Sequence, residues 1–183
     1  MSWIQTYMGH KFDYNDVEHS TIDIKDIAHS LSQICRFSGM SKKFYSVAQH
    51  SLRVCESLKD CNKETQLYAL LHDAAEAYIS DVPRPLKENL EKYKEIENNI
   101  FFNIIHTFGI NADRYCNVDT WIIKRLDNHW LACEATQLFN KGPIDNWISK
   151  YFDDTRKIEK LIFEDMKTVE KKFLKKYNEL RII

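Results

Sequence analysis

The chain is poor in the residues that make turns: its 183 positions hold 4 glycines and 3 prolines. Sheet-rich folds use both at nearly every reversal, so the scarcity favours a mostly helical fold. No run approaches the ~18 apolar residues of a membrane span. The opening stretch, MSWIQTYMGHKFDYND, holds no apolar core of a secretory leader. An excess of charge is lacking too: 26 Lys and Arg face 27 Asp and Glu, a net charge of -1. A broad basic face for nucleic acid is therefore not expected. The 5 cysteines, Cys35, Cys55, Cys61, Cys116 and Cys133, are odd in number and form no CxxC. That excludes a disulfide framework or zinc knuckle and fits free thiols in a reducing cytoplasm.

Apolar residues are plentiful, at 44% with 13% aromatic, enough for one domain over 1–183 with a real core. Residues 2–14 predict a short β-hairpin, with Trp3, Ile4, Tyr7, Phe12 and Tyr14 flanking a turn at Gly9-His10. The remainder reads as about six helices. DIKDIAHSLSQICRF puts Ile24, Ile27, Ala28, Leu31, Ile34 and Cys35 on one face. Ser46 with Gln49 forms a capping box ahead of Val47, Val54 and Leu58. Asn62 caps a third helix, carrying Leu67, Leu70, Leu71, Ala74 and Tyr78, which Asp81-Val-Pro-Arg-Pro85 ends near Ser80. A fourth spans about 87–108 and stops at Gly109. A fifth runs from about Asp119 to Phe139, with Trp121, Ile122, Leu126, Trp130 and Leu138 on a wide apolar face. The last runs from about Asp154 to Leu180 with Ile158, Leu161, Ile162, Val169, Phe173 and Tyr177, its Lys and Glu residues forming a solvated face. Trp121, Trp130 and Trp147 read as core first and as a face between copies of the chain second.

Polar residues interrupt these apolar stripes in a pattern. His50 lies three residues after Val47 and four before Val54, on their inward face. His72-Asp73 sits in the apolar stretch YALLHDAAEAYI, and Asp127 follows Leu126 three residues before Trp130. An inward carboxylate without a partner is costly to bury. Lys124 and Arg125 are expected to point elsewhere on the helix and leave Asp127 unpaired. One divalent cation (Mn, Co, Fe or Zn) would satisfy all four side chains, two imidazoles and two carboxylates. Taken singly, each has an ordinary explanation as a hydrogen-bonded core residue. Glu76, four residues after His72, shares its face and suits a general base and acid. Asp81 follows on the loop, and Arg84 and Lys87 bring cations suited to an anionic substrate such as phosphate.

The strings DIAHSLSQICRFSG, FYSVAQHSLRV and LLHDAAEAYISDVPRPLK, with the later Asp127, resemble the HD-domain metal-dependent phosphohydrolase superfamily over residues 21–138. The likeness is to the bacterial and phage enzymes that include the 5'-deoxynucleotidases. It implies an all-α HD-domain bundle with His50, His72, Asp73 and Asp127 as ligands of one metal. It further implies Glu76 as catalytic acid/base, Asp81 as the acid positioning the attacking water, and Arg36 as the grip on the substrate phosphate. Where those enzymes place a Trp against the ribose 2'-hydroxyl, this chain has Phe37, smaller and without the indole N–H. The implied reaction is release of phosphate from a deoxynucleoside monophosphate. A triphosphohydrolase acting on deoxynucleoside triphosphates is the alternative, with Arg84, Lys87, Lys42 and Lys43 as candidate partners of the outer phosphates. A non-catalytic nucleotide-binding module and (p)ppGpp hydrolysis rank below both. His106 in FFNIIHTFG is expected in the core, His29 packed or beside Arg36, His129 on another helix face, and His10 and His19 at the surface.

Overall fold

A computed structural model describes residues 2–111, 118–144, 146, 148 and 157–182. The expected hairpin is present: β1 (Trp3–Gln5) pairs antiparallel with β2 (Lys11–Asp13), setting Ile4 opposite Phe12. Gly9 takes φ +87° in the turn, a conformation open to glycine at little cost. Phe12 is fully buried and stacks on Tyr78 at 4.0 Å, so the hairpin is pinned to the helices by its inward residue. Asp26 adds a tie by accepting the Met8 backbone N–H at 2.6 Å.

The α-helices among the described residues include α1 (Ile24–Gln33), α2 (Val47–Glu56), α3 (Lys63–Leu71), α4 (Glu76–Ile79), α5 (Arg84–Lys87), α6 (Glu91–Thr107), α7 (Val118–Leu138) and α8 (Met166–Leu180), with a 3-10 turn at Arg36–Gly39. The fold is thus mostly helical with a small hairpin. Asp23, Ser46, Asn62 and Asp165 cap α1, α2, α3 and α8 with their side chains, and Ser46–Gln49 forms the full capping box. Gly109 (φ +69°) closes α6 in a Schellman arrangement, its N–H bonded to the His106 carbonyl and that of Ile110 to Ile105. α8 packs against α1, α2 and α3, and α2 lies between α3 and α7. Ile27, Leu31, Val54, Leu70, Ile104, Leu126 and Phe173 belong to the shared core. Among the described residues no helix is long and apolar enough to cross a membrane.

Three elements depart from expectation. The helix expected from Asn62 to Ser80 is split, because the chain tightens at His72–Ala75. The fourth helix starts later: Leu90 (φ -119°, ψ 73°) separates α5 from α6. The last begins at Met166, not near Asp154, which itself lies outside the described residues. Residues 157–165 instead run as irregular chain along α7. Gln137 donates to the Glu159 carbonyl and accepts the Leu161 N–H, and Gln49 donates to the Ile162 carbonyl. These side-chain bonds replace the helical ladder there. Trp130 is buried, its indole N–H donated to Ser57 Oγ at 2.9 Å, whereas Trp121 is 58% exposed. Trp147 and Cys116 lie outside the described residues; Cys35, Cys55, Cys61 and Cys133 are free thiols.

Candidate metal centre

His50 sits in the middle of α2, fully buried, behind the helix start that the capping box fixes. His72 and Asp73 follow α3 where backbone bonding changes from i→i−4 to i→i−3: Ala74 N–H reaches the Leu71 carbonyl at 2.8 Å, and Glu76 N–H the Asp73 carbonyl at 3.0 Å. Tighter winding of this kind often marks a functional position in a helix. Asp127 is buried midway along α7.

These side chains converge. One ligand atom from each of His50, His72 and Asp127 lies within 4.8 Å of the other two. His50 Nε2 is 3.2 Å from Asp127 Oδ1, and Asp73 Oδ2 flanks the group at 3.2 Å from His72 Nε2 and 3.7 Å from His50 Nε2. The other ring nitrogens fix the tautomers. His50 Nδ1 donates to Glu134 Oε1 at 2.7 Å, and His72 Nδ1 to the Ala69 carbonyl at 2.8 Å. Carboxylates and carbonyls only accept, so both Nδ1 atoms carry hydrogen, and in the neutral rings both Nε2 atoms present lone pairs. Each Nε2 is buried without a hydrogen-bond partner. Two orphaned imidazole nitrogens among carboxylate oxygens are a donor set that fits a divalent cation.

The electrostatics agree. Burial and Arg36 press the His50 imidazole toward neutrality, but Glu134 and Asp127 outweigh them and lift its pKa to about 9. Without a metal, a proton would fill the role of the cation. Burial pushes the carboxyls of Asp73 and Asp127 up, and the two histidines outweigh it, holding both well below the usual carboxylate range. Glu76 goes the other way. Burial, then Asp73 and Asp81, raise its pKa well above the ordinary value, and its Oε2 has no hydrogen-bond partner.

The cluster opens on a cleft of about 780 Å³. All of the remaining expected site residues line it: Arg36, Phe37, Glu76, Asp81, Arg84 and Lys87. Arg36 enters from a strained loop in which Phe37 and Ser38, at φ 57° and 52°, precede Gly39 at φ 73°. Side chains rarely adopt this left-handed region, and such strain gathers at binding sites. The loop is clamped at its base by a Cys35–Ser46 bridge and by Arg36 N–H bonded to the Tyr45 carbonyl. The Arg36 guanidinium lies 3.6 Å from Asp73 and 5.5 Å from the Phe37 ring centroid. Burial alone would favour its neutral form; Glu134, Asp81 and Asp73 overcome that and keep it charged. Burial raises the Asp81 carboxyl. Lys87 lies 3.6 Å from Glu76 and 2.6 Å from Glu97, and Arg84 bonds Asn128 and approaches Asp127. Lys42 and Lys43 are not part of the lining; Lys43 lies over the Phe163 ring instead.

Several expectations need correction. Lys124 is not turned away from Asp127: its Nζ is 2.6 Å from Asp127 Oδ2. Residues three apart are neighbours on a helix, and a long lysine stem reaches back from solvent. His106 is exposed rather than core. His29 is packed, stacked on Tyr7 at 3.6 Å and bonded to Glu170. His129 faces Cys133 and Glu159, as its offset from Asp127 implies. His19 is exposed, but His10 is half-buried. Sequence reasoning missed Glu134, a fully buried acid that touches both His50 and Arg36. The signal was its place seven residues after Asp127 in the apolar run LACEATQL, on the same face of α7.

No family model matches the chain. It is 38% identical over 158 residues to the uncharacterized protein YfdR of Escherichia coli K12, a match covering 79% of this chain and 87% of that protein. It is also 34% identical over 158 residues to an uncharacterized protein of Rhodobacter capsulatus, covering 81% of this chain and 80% of its relative. At that identity and coverage the chain belongs to the YfdR family.

Proposed function

We propose that the chain is an HD-type, metal-dependent phosphohydrolase of deoxynucleotides, acting first on deoxynucleoside monophosphates. The observation that carries this reading is the pair of buried Nε2 atoms of His50 and His72 facing Asp127 and Asp73. These four residues would hold one divalent cation, which when bound supplies Lewis acidity toward a phosphoryl group. The other steps belong to the chain's own groups. Glu76 has an open oxygen beside the ligands, and in its ionised form it takes the proton of the attacking water. As the new P–O bond forms and the ester P–O bond breaks, that proton passes to the departing 5'-oxygen. Asp81 helps orient the water. Arg36 and Lys87 offset the charge gathering on the phosphoryl oxygens. Tyr68, Phe101 and Trp121 in the same lining offer aromatic faces to a nucleobase.

A second reading, triphosphate release from deoxynucleoside triphosphates, draws support from four cations in the lining: Arg36, Arg84, Lys87 and Lys124. A panel of dNMPs, dNTPs and ribonucleotides with Mn, Co, Fe or Zn separates the readings, assayed for orthophosphate by malachite green and for intact triphosphate by HPLC. Orthophosphate from dNMPs is expected. Intact triphosphate from dNTPs selects the second reading. Metal and nucleotide binding without turnover across the panel would leave a binding module.

A further inference from the structure

Glu134 stands outside the proposed ligand set, yet it is completely buried beside it. Its two oxygens serve two halves of the site. Oε1 accepts from His50 Nδ1 at 2.7 Å, and Oε2 accepts from Arg36 Nε at 2.9 Å. We infer that Glu134 is a positioning residue that joins these halves, fixing the His50 ring with Nε2 open toward Asp127 while holding the Arg36 guanidinium in the cleft. The inference rests on the metal-dependent reading above.

The chemistry of the three groups makes the arrangement specific. His50 Nδ1 and Arg36 Nε both donate, so only a group with two accepting atoms satisfies both. Glutamine has the same shape but one acceptor. If its oxygen stays with Arg36, its amide faces His50 Nδ1, and the neutral ring turns a lone pair there and moves its proton to Nε2. That proton then stands where a cation would bind. If its oxygen stays with His50, the amide opposes Arg36 Nε–H, and a buried charged donor loses its acceptor. The competing explanation is a carboxylate that merely balances the buried Arg36 charge. It predicts lost stability with unchanged metal affinity in whatever protein remains folded.

The test titrates Mn2+ by calorimetry into metal-stripped wild type, Glu134→Gln and Glu134→Asp, at a temperature where circular dichroism shows each folded. The wild type should bind at a single site. Both variants should bind roughly ten- to hundredfold more weakly, the scale seen when a ligand histidine loses its outer partner. Aspartate keeps the charge beside Arg36 but is one methylene short of spanning both donors. Wild-type affinity in either folded variant overturns the inference. Should Glu134→Gln fail to fold, Glu134→Asp decides alone. A wild type that takes no Mn2+ overturns both this inference and the reading beneath it. A wild type that binds Mn2+ but hydrolyses no nucleotide removes only the hydrolase, and the comparison of variants still decides the role of Glu134.

Discussion

Glu76 shows how one residue can serve function at the expense of the fold. Its carboxyl is buried near Asp73 and Asp81, which holds its pKa well above the ordinary value. The folded chain therefore keeps the Glu76 proton at pH values where the unfolded chain has lost it. Between those two pKa values the native state binds more protons, so its stability falls as pH rises. Glu76→Gln removes that dependence. Thermal melts of metal-free protein should show the variant gaining on wild type progressively above about pH 4.5; a gap independent of pH would contradict this. With metal present, the same variant should bind the ion and lose roughly 10²–10⁴-fold in turnover. Single residues were also where sequence reading was most uneven. His50, His72, Asp73 and Asp127 stood out because polar groups on apolar faces need a partner. Glu134 has the same character, but its apolar neighbours gave no hint of two donors arriving from distant segments. For Lys124 helix geometry alone does not decide the contact with Asp127; the reach of its side chain does.

At the scale of elements, local rules served where local forces dominate. Ser46 with Gln49 announces the start of α2 in four residues, and the helix then delivers His50 to the site. Ser46→Ala should cost about 1 kcal/mol, read as a lower denaturant midpoint with unchanged slope. A neutral substitution would mean that Val47 and the bridge at Cys35 hold the start unaided. Ser38, at φ 52°, offers the opposite case. Ser38→Gly should relieve the left-handed backbone and leave the melting temperature the same or higher, whereas a clear drop would show that the Ser38 side chain holds the Arg36 loop. Periodicity fails as a guide where side-chain bonds outweigh it. The Lys and Glu pattern near 157–165 suits a helix surface as well as exposed irregular chain, and Gln49 and Gln137 settle the matter from other helices. At His72 the apolar period runs on, and nothing in it reveals that the helical winding tightens.

The whole molecule places its candidate ligands on α2, α7 and the turn after α3, segments that meet only in the folded chain. An ion bound there favours the native state of all three together. At a hundred times its Kd it should add about 2.7 kcal/mol. For a chain of this size that corresponds to a Tm higher by very roughly 5–10 °C. His72→Ala should melt at nearly the same temperature with or without metal. The helical class and hairpin were legible in the sequence because they follow from periodicity, caps and the scarcity of turn residues. The cleft was not, since its walls come from segments more than ninety residues apart, Arg36 from one side and Asp127 from another. The most direct measurement is a crystal of the zinc-loaded protein with anomalous data at the zinc edge. One peak is predicted, at roughly 2.0–2.2 Å from His50 Nε2, His72 Nε2 and a carboxylate oxygen each of Asp73 and Asp127. Zinc bound elsewhere, or this cluster empty at full loading, would contradict the account.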